Sequence, residues 1–153
     1  MTWLKRLCLA ALLACLLPAL HAAADKVIKV LPHYLDLNGR HTLSPSLFER
    51  DAYQAMLRRD PSKCGGLRFD TQWKARKVAD RTLKLHLELV TTQHPKATPY
   101  ILEQAVTPKR WFSSWTRLKL DAAQLKAVGE IVAWRVSLRD GDQTLSEQHS
   151  FLW

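Results

Sequence analysis

Apolar and polar positions alternate with a period of two through most of this chain, the pattern of strands that bury one face. The alternation is cleanest near the C-terminus, where Val132, Trp134, Val136 and Leu138 are interleaved with Ala133, Arg135, Ser137 and Arg139. Asp140-Gly141 follows, a pair suited to the positive φ angles of a tight hairpin turn. The chain then returns through Leu145, Phe151 and Trp153. A two-residue loop at that turn pairs Leu138 with Gln143 and Val136 with Leu145, which carries the apolar face across to the returning strand.

The same period marks the segments upstream. In Lys26 to Leu37, residues Leu31, His33, Leu35 and Leu37 share one face, and Pro32, which has no amide hydrogen to donate, predicts an edge strand. Leu67 to Lys77 sets Leu67, Phe69, Thr71, Trp73 and Ala75 inward against Arg68, Asp70, Gln72, Lys74 and Arg76. Arg81 to Thr92 sets Leu83, Leu85, Leu87 and Leu89 inward and Lys84, His86 and Glu88 outward. The short Val78-Ala79-Asp80 link predicts that these two strands are antiparallel neighbours. Gln93 to Pro99 is a loop; Tyr100 to Thr107 alternates poorly and reads as a short or edge strand. Trp111 to Leu120 holds a further strand with Thr116, Leu118 and Leu120 inward.

Two stretches change period. From Ser44 to Asp60, Phe48, Ala52, Ala55 and Met56 recur at helical spacing, flanked by Leu47 and Leu57. Ser46 and Glu49 have capping-box spacing and Pro61 follows the end, so a short amphipathic crossover helix is predicted. Asp121 caps one or two turns running through Leu125 and Val128 to Gly129.

About seven short strands and one crossover helix predict an all-β fold, an antiparallel β-sandwich of the immunoglobulin-like or fibronectin-III-like kind. The Cys…Trp…Cys signature of antibody domains is absent, so the likeness is to the wider class. Trp134 is expected at the core, where its replacement by Ala would cost about 3–5 kcal/mol.

The first 24 residues lie outside this pattern. Lys5-Arg6, the apolar run Leu7 to Leu17, Pro18 and the small residues of His21-Ala22-Ala23-Ala24 have the layout of a secretory signal peptide cleaved before Asp25. The apolar run is short for a bilayer span, so no transmembrane segment is expected to remain after cleavage. Leu12-Leu13-Ala14-Cys15 is the alternative, a lipoprotein signal that would acylate Cys15; bulky Leu13 and the apolar Leu16 to Ala24 favour plain cleavage. Periplasmic or secreted localisation follows, with residues 25–153 as a single domain and a monomer. Cleavage removes Cys8 and Cys15 and leaves Cys64 unpaired in Ser62-Lys63-Cys64-Gly65-Gly66, which reads as a flexible loop; an intermolecular disulfide is the alternative. Net charge is +9, and losing Lys5 and Arg6 leaves +7. A basic exported protein favours anionic envelope polymers or lipid head groups over nucleic acid, although a positive surface also serves solubility alone.

Asp36, Leu43-Ser44-Pro45-Ser46-Leu47, Glu49-Arg50-Asp51-Ala52-Tyr53-Gln54 and the terminal Ala133-Trp134-Arg135-Val136…Asp140-Gly141-Asp142…Ser150-Phe151-Leu152-Trp153 carry a resemblance. On these residues the chain resembles a family of small exported bacterial proteins without a characterised activity. The resemblance implies one exported domain, and it brings no catalytic or binding residue with it.

Candidate chemistry is sparse. His33, His41, His86, His94 and His149 are scattered singly, without the HxH or HExxH spacing that sets two imidazoles on one metal. No phosphate loop or nucleophile motif is present, so no cofactor and no enzymatic activity are expected. In the predicted register Glu147 and His149 fall on the buried face opposite Trp134 and Val132, where charge is costly. A bulge after Leu145, an open sandwich edge or a polar site would each resolve this. The best binding candidates are Trp111 and Trp115 beside Arg117 and Lys119, with Lys74 and Arg76 joining if both strands share a sheet. Aromatic and basic side chains together stack on sugars and pair with phosphates or carboxylates. The competing reading has Trp111 and Phe112 plugging one end of the sandwich while the charges are merely solvated. The expected function is therefore a non-catalytic envelope protein-interaction or structural module, or a binder of anionic polymers or glycans through a basic aromatic face.

Overall fold

The computed structural model describes residues 25–153; the expected signal segment, with its expected cleavage site and Cys15, lies outside the described residues. The chain is an all-β sandwich of two antiparallel sheets. Its elements are β1 (Lys26–Asp36), α1 (Leu47–Arg59), β2 (Cys64–Lys74), β3 (Leu83–Thr91), β4 (Tyr100–Ala105), β5 (Ser114–Asp121), α2 (Ala122–Val128), β6 (Ile131–Asp140) and β7 (Gln143–His149). One sheet has the order β1-β2-β5 and the other β4-β3-β6-β7.

Between them lies the core that the alternation predicts. Leu67, Phe69 and Trp73 of β2 and Leu118 and Leu120 of β5 face Leu83, Leu85, Leu87 and Leu89 of β3 and Val136 and Leu138 of β6. Trp73 is enclosed, and its indole Nε1 donates to Thr116 Oγ1 at 2.9 Å, so the polar end of the ring is satisfied. Trp134 is only partly buried and meets Phe69 edge-on at 6.0 Å, so the centre of the core is Trp73 rather than the expected Trp134.

Several expectations are corrected. β2 and β3 are not neighbours, because the link after Ala75 crosses from one sheet to the other. Arg81 ties that crossing to both: its Nη2 donates to Asp25 Oδ2 at 2.8 Å beside β1, and its Nε to Asp140 Oδ2 at 2.7 Å at the end of β6. In β1, a register shift between Val27 and Lys29 puts Val27 and Val30 in the core and turns Leu31 and His33 outward, while Leu37 is exposed. In β6, a shift opposite Val90/Thr91 skips Val132, so Ile131 packs against the core and Val132 is exposed.

The terminal hairpin closes one residue later than predicted, with Asp140 paired to Gln143 and a Gly141-Asp142 turn. A bulge then skips Leu145, so Leu138 meets Ser146 and Val136 meets Gln148. Glu147 and His149 consequently stand opposite Ser137 and Arg135 on the outer face, where both are exposed. Phe151 is fully exposed as well.

Cys64 is not in a loop. It is the buried first residue of β2, and its thiol donates to Gly66 O at 3.4 Å. The glycines that suggest a loop serve close strand approach instead: a Cβ on Gly65 would meet Asp36 O at 2.4 Å, and one on Gly66 would meet Leu120 O at 2.4 Å.

α1 is capped by Ser46, whose hydroxyl accepts from Glu49 N, but the face it buries is not the predicted one. Leu57 is buried and Tyr53 and Gln54 are partly so, whereas Phe48 is 83% exposed and Leu47, Ala52 and Ala55 face solvent. The attachment is polar. Gln54 Oε1 accepts from Tyr34 N at 2.7 Å, its Nε2 donates to Tyr34 O at 2.9 Å and His41 O at 2.7 Å, and Tyr53 OH donates to Asp36 Oδ2 at 2.8 Å. α1 thereby satisfies backbone groups of edge strand β1 that a neighbouring strand would otherwise occupy. α2 carries the predicted cap as a full box between Asp121 and Gln124, and Gly129 ends it with φ 80°.

Candidate functional site

Strand register decides which charges meet on the outer face of the β1-β2-β5 sheet. Residues paired across an antiparallel ladder point to the same side. Three rows result: His33, Arg68 and Lys119; Leu31, Asp70 and Arg117; Lys29, Gln72 and Trp115. Lys26 and Lys74 pair at the far end. The first row sets three basic side chains side by side, an arrangement that disfavours itself unless an anion is near.

Asp70 is the carboxylate at the middle of this face. Arg68 Nη2 donates to its Oδ2 at 2.8 Å, while Arg117 Nε lies 3.7 Å and His33 Nε2 3.8 Å from its two oxygens. One acid thus answers Arg68, Arg117 and His33, and Lys119, Lys29 and Lys74 have no ion-pair partner among the described residues. Trp115 stands in this array with 52% of its surface free.

The expected site is therefore brought together in part. Trp115, Arg117, Lys119 and Lys74 share the face. Trp111 does not: it precedes β5 in an exposed loop, with the Arg110 guanidinium 5.1 Å from its ring. Trp111 and Phe112 are exposed, which also rules out the plug at the sandwich end. Arg76 lies two residues beyond Lys74, the last paired residue of β2, and is exposed, its backbone N donating to Asp25 Oδ1, so the ladder does not set it on this face. Sequence reading missed Arg68, Lys29, His33, His41 and Arg50. Val27 and Val30, three apart, are the signal of the β1 bulge that would have turned Lys29 and His33 outward.

Beside the face, the β1–α1 connection folds over its edge and makes a cleft of about 420 Å³. Its floor is Leu31, His33, Asp70, Trp115 and Arg117, and its wall is the 41–45 segment with Arg50 of α1. The rings of His33 and His41 lie 4.7 Å apart. Both imidazoles are held below their ordinary pKa: burial comes first, followed for His33 by His41 and for His41 by Arg68, with Arg50 adding to each.

The outer face of the other sheet carries a different constellation. Ser137, His86 and Glu103 lie in one row across β6, β3 and β4, and His86 Nδ1 is 2.5 Å from Glu103 Oε1. Glu88 accepts from Arg135 Nε at 2.7 Å; burial raises its pKa, yet that hydrogen bond and the nearby cations leave it below the ordinary value. Arg135 also lies 4.7 Å from the centre of the Trp153 ring. The row looks like a nucleophile, base and orienting acid, but Ser137 is 1% exposed and its Oγ has no hydrogen-bond partner among the described residues. A serine in that position is sealed from substrate and is not activated by His86. Among the described residues no group of three or more His, Cys, Asp or Glu side chains is placed to hold a metal ion, and no helix is long and apolar enough to cross a membrane.

Fold and face together define an all-β sandwich with one basic, aromatic sheet surface. No family model, curated protein or solved structure matches the chain.

Proposed function

We propose that the protein is an exported binding module that engages anionic polymers or glycans through the outer face of its β1-β2-β5 sheet, without catalysing a reaction. The observation that carries this reading is the register of β5 on β2, which sets Lys119, Arg117 and Trp115 beside Arg68, Asp70 and Gln72. Trp115 offers a stacking surface for a sugar ring, and the guanidinium of Arg117 offers donors to an acid group. Export rests on the N-terminal pattern and on the resemblance to small exported bacterial proteins; mass spectrometry of the mature N-terminus tests it, with Asp25 or acylated Cys15 expected first.

Strand order supports the immunoglobulin-like and fibronectin-III-like likeness. β1-β2-β5 and β3-β6-β7 correspond to strands A-B-E and C-F-G of such sandwiches, with β4 beside β3 in the place of C′. Modules of this kind serve as binding scaffolds, which agrees with the sealed Ser137.

Retention on immobilised heparin or lipopolysaccharide tests the reading. The Arg117→Glu, Lys119→Glu double variant is expected to elute near the void volume with an unchanged melting curve, and undiminished retention overturns the proposal. Moderate salt should release the wild-type protein, because exposed charges are screened beyond about 8–10 Å at physiological ionic strength.

The exposed apolar side of α1 favours a second reading, docking to an envelope protein. Leu43, Leu47 and Phe48 present large side chains to solvent at one end of that helix. Partner capture that withstands salt and is lost in Leu47→Ser, Phe48→Ser selects this reading instead.

A further inference from the structure

The 41–45 cleft is more specific than the open face beside it, and its content points to a ligand class. Charged groups surround the His33–His41 pair from several elements, and Lys119 ends the row that His33 and Arg68 begin. Arg68 and Asp70 come from β2, Arg117 from β5, and Arg50 from α1; Asp51, Arg58, Arg59 and Glu130 line the adjoining cleft that shares His33, His41 and Arg50. Arg68 is committed to Asp70 at 2.8 Å, and Arg58 to Glu130 at 3.1 Å. Arg50 is in no ion pair among the described residues, and Arg117 touches Asp70 only at 3.7 Å. Cations thus outnumber acids around two imidazoles whose rings are tilted against each other at 4.7 Å, and this adds to burial in disfavouring the charged form of both. Trp115 closes the floor beside Arg117. Arginine forks and imidazole N–H groups around a tetrahedral oxyanion, with an indole next to them, suit a charged ester on a ring-shaped carrier.

We propose that this cleft binds a phosphate or sulfate ester, the oxyanion held by Arg50, Arg117, His33 and His41 and the ring that bears it packed on Trp115. The assignment rests on the anionic-ligand reading above and narrows it to one site and one chemistry. A bound oxyanion raises the pKa of both imidazoles, and by reciprocity their protonation tightens the complex. Affinity therefore rises as pH falls through the titration range of the pair.

Glucose 6-sulfate is the probe for this, because its charge does not change between pH 5 and 8. The expected result is binding at least tenfold tighter at pH 5.5 than at pH 7.5, with the His33 and His41 ring resonances titrating at higher pH in its presence. Arg50→Ala and His41→Ala are each expected to weaken binding tenfold or more while heparin retention through Lys119 and Lys74 persists. Two further probes distinguish the carrier. Inorganic sulfate binding as tightly as the sugar ester overturns the role of Trp115, and loss of discrimination in Trp115→Ala supports it. Phosphatidylglycerol vesicles that bind and compete with glucose 6-sulfate support the same oxyanion site with a lipid headgroup as its source. Heparin retention without any response of His33 or His41 to glucose 6-sulfate overturns this inference and leaves the broader reading intact; no retention and no response overturns both.

Discussion

Trp73 and Asp36 show how single residues hold this sandwich. Trp73 is enclosed between the sheets with its indole N–H satisfied by Thr116, so truncation removes both a large apolar volume and a hydrogen bond. Trp73→Ala is expected to lower unfolding stability by about 3–5 kcal/mol, and Trp134→Ala by less, as read from urea denaturation. Asp36 acts through polarity. It accepts from the backbone N–H groups of Arg40 and Asn38, from the Arg40 guanidinium and from Tyr53 OH, and these bonds, the Arg40 amide foremost, hold its pKa at about 2. An unfolded aspartate titrates near 3.9, so the contribution of Asp36 is complete above about pH 4 and lost as pH falls towards 2. The stability gap between wild type and Asp36→Asn should therefore narrow across that interval in urea melts. A gap that stays constant would show that the carboxylate's charge is not what stabilises the turn.

At the scale of elements, α1 is the part whose role periodicity misjudges. Its apolar positions suggest a helix that buries Phe48, Ala52, Ala55 and Met56, but it docks by Leu57 and by Gln54, which accepts from Tyr34 N and donates to Tyr34 O. An edge strand offers unpaired N–H and C=O groups, and a side-chain amide can satisfy both where a helix cannot enter the ladder. Gln54→Ala is expected to cost about 1–3 kcal/mol and to raise hydrogen exchange at the Tyr34 amide without changing the core amides of β3 and β6. Equal deprotection of all three would mean that α1 and the sandwich unfold as one unit. The bulge at Leu145 has the opposite character: it places Glu147 3.7 Å from Arg135 on the outer face and removes the conflict of charges pointed at the core.

Across the whole molecule, Arg81 links the sheets that the hydrophobic core presses together. Its guanidinium bonds Asp25 beside the first strand and Asp140 at the end of the sixth, while its Nη1 donates to Arg76 O within the crossing link. Arg81→Ala is expected to lower stability by about 1–3 kcal/mol, and Arg81→Lys to recover only part of it, since a lysine cannot fork between two carboxylates. Urea midpoints of the two variants check this, and full recovery by lysine would reduce the clamp to a simple point charge. The same global arrangement gives the two outer faces their different characters. One gathers Glu88, Glu103 and Glu147 among its basic groups, and the other leaves Asp70 alone among five or more cations.

Two-residue alternation in β2, β3 and β5, the cap of α2 and the turn at Gly141 were all legible in the chain, because strand pleat, helix caps and positive φ angles are local requirements. So was the company of Trp115, Arg117 and Lys119, which a single strand already puts on one side. The β7 bulge was one of three readings that the charges of Glu147 and His149 left open. The bulges in β1 and β6, the burial of Cys64 and the partnership of those basic residues with Arg68, His33 and Arg50 were not legible. Each depends on which backbone lies alongside and at what offset, and an offset of one residue exchanges the inner and outer faces of a strand. Only closure of both sheets on a shared core selects that offset, so the proposed binding surface is written by register rather than by any local motif.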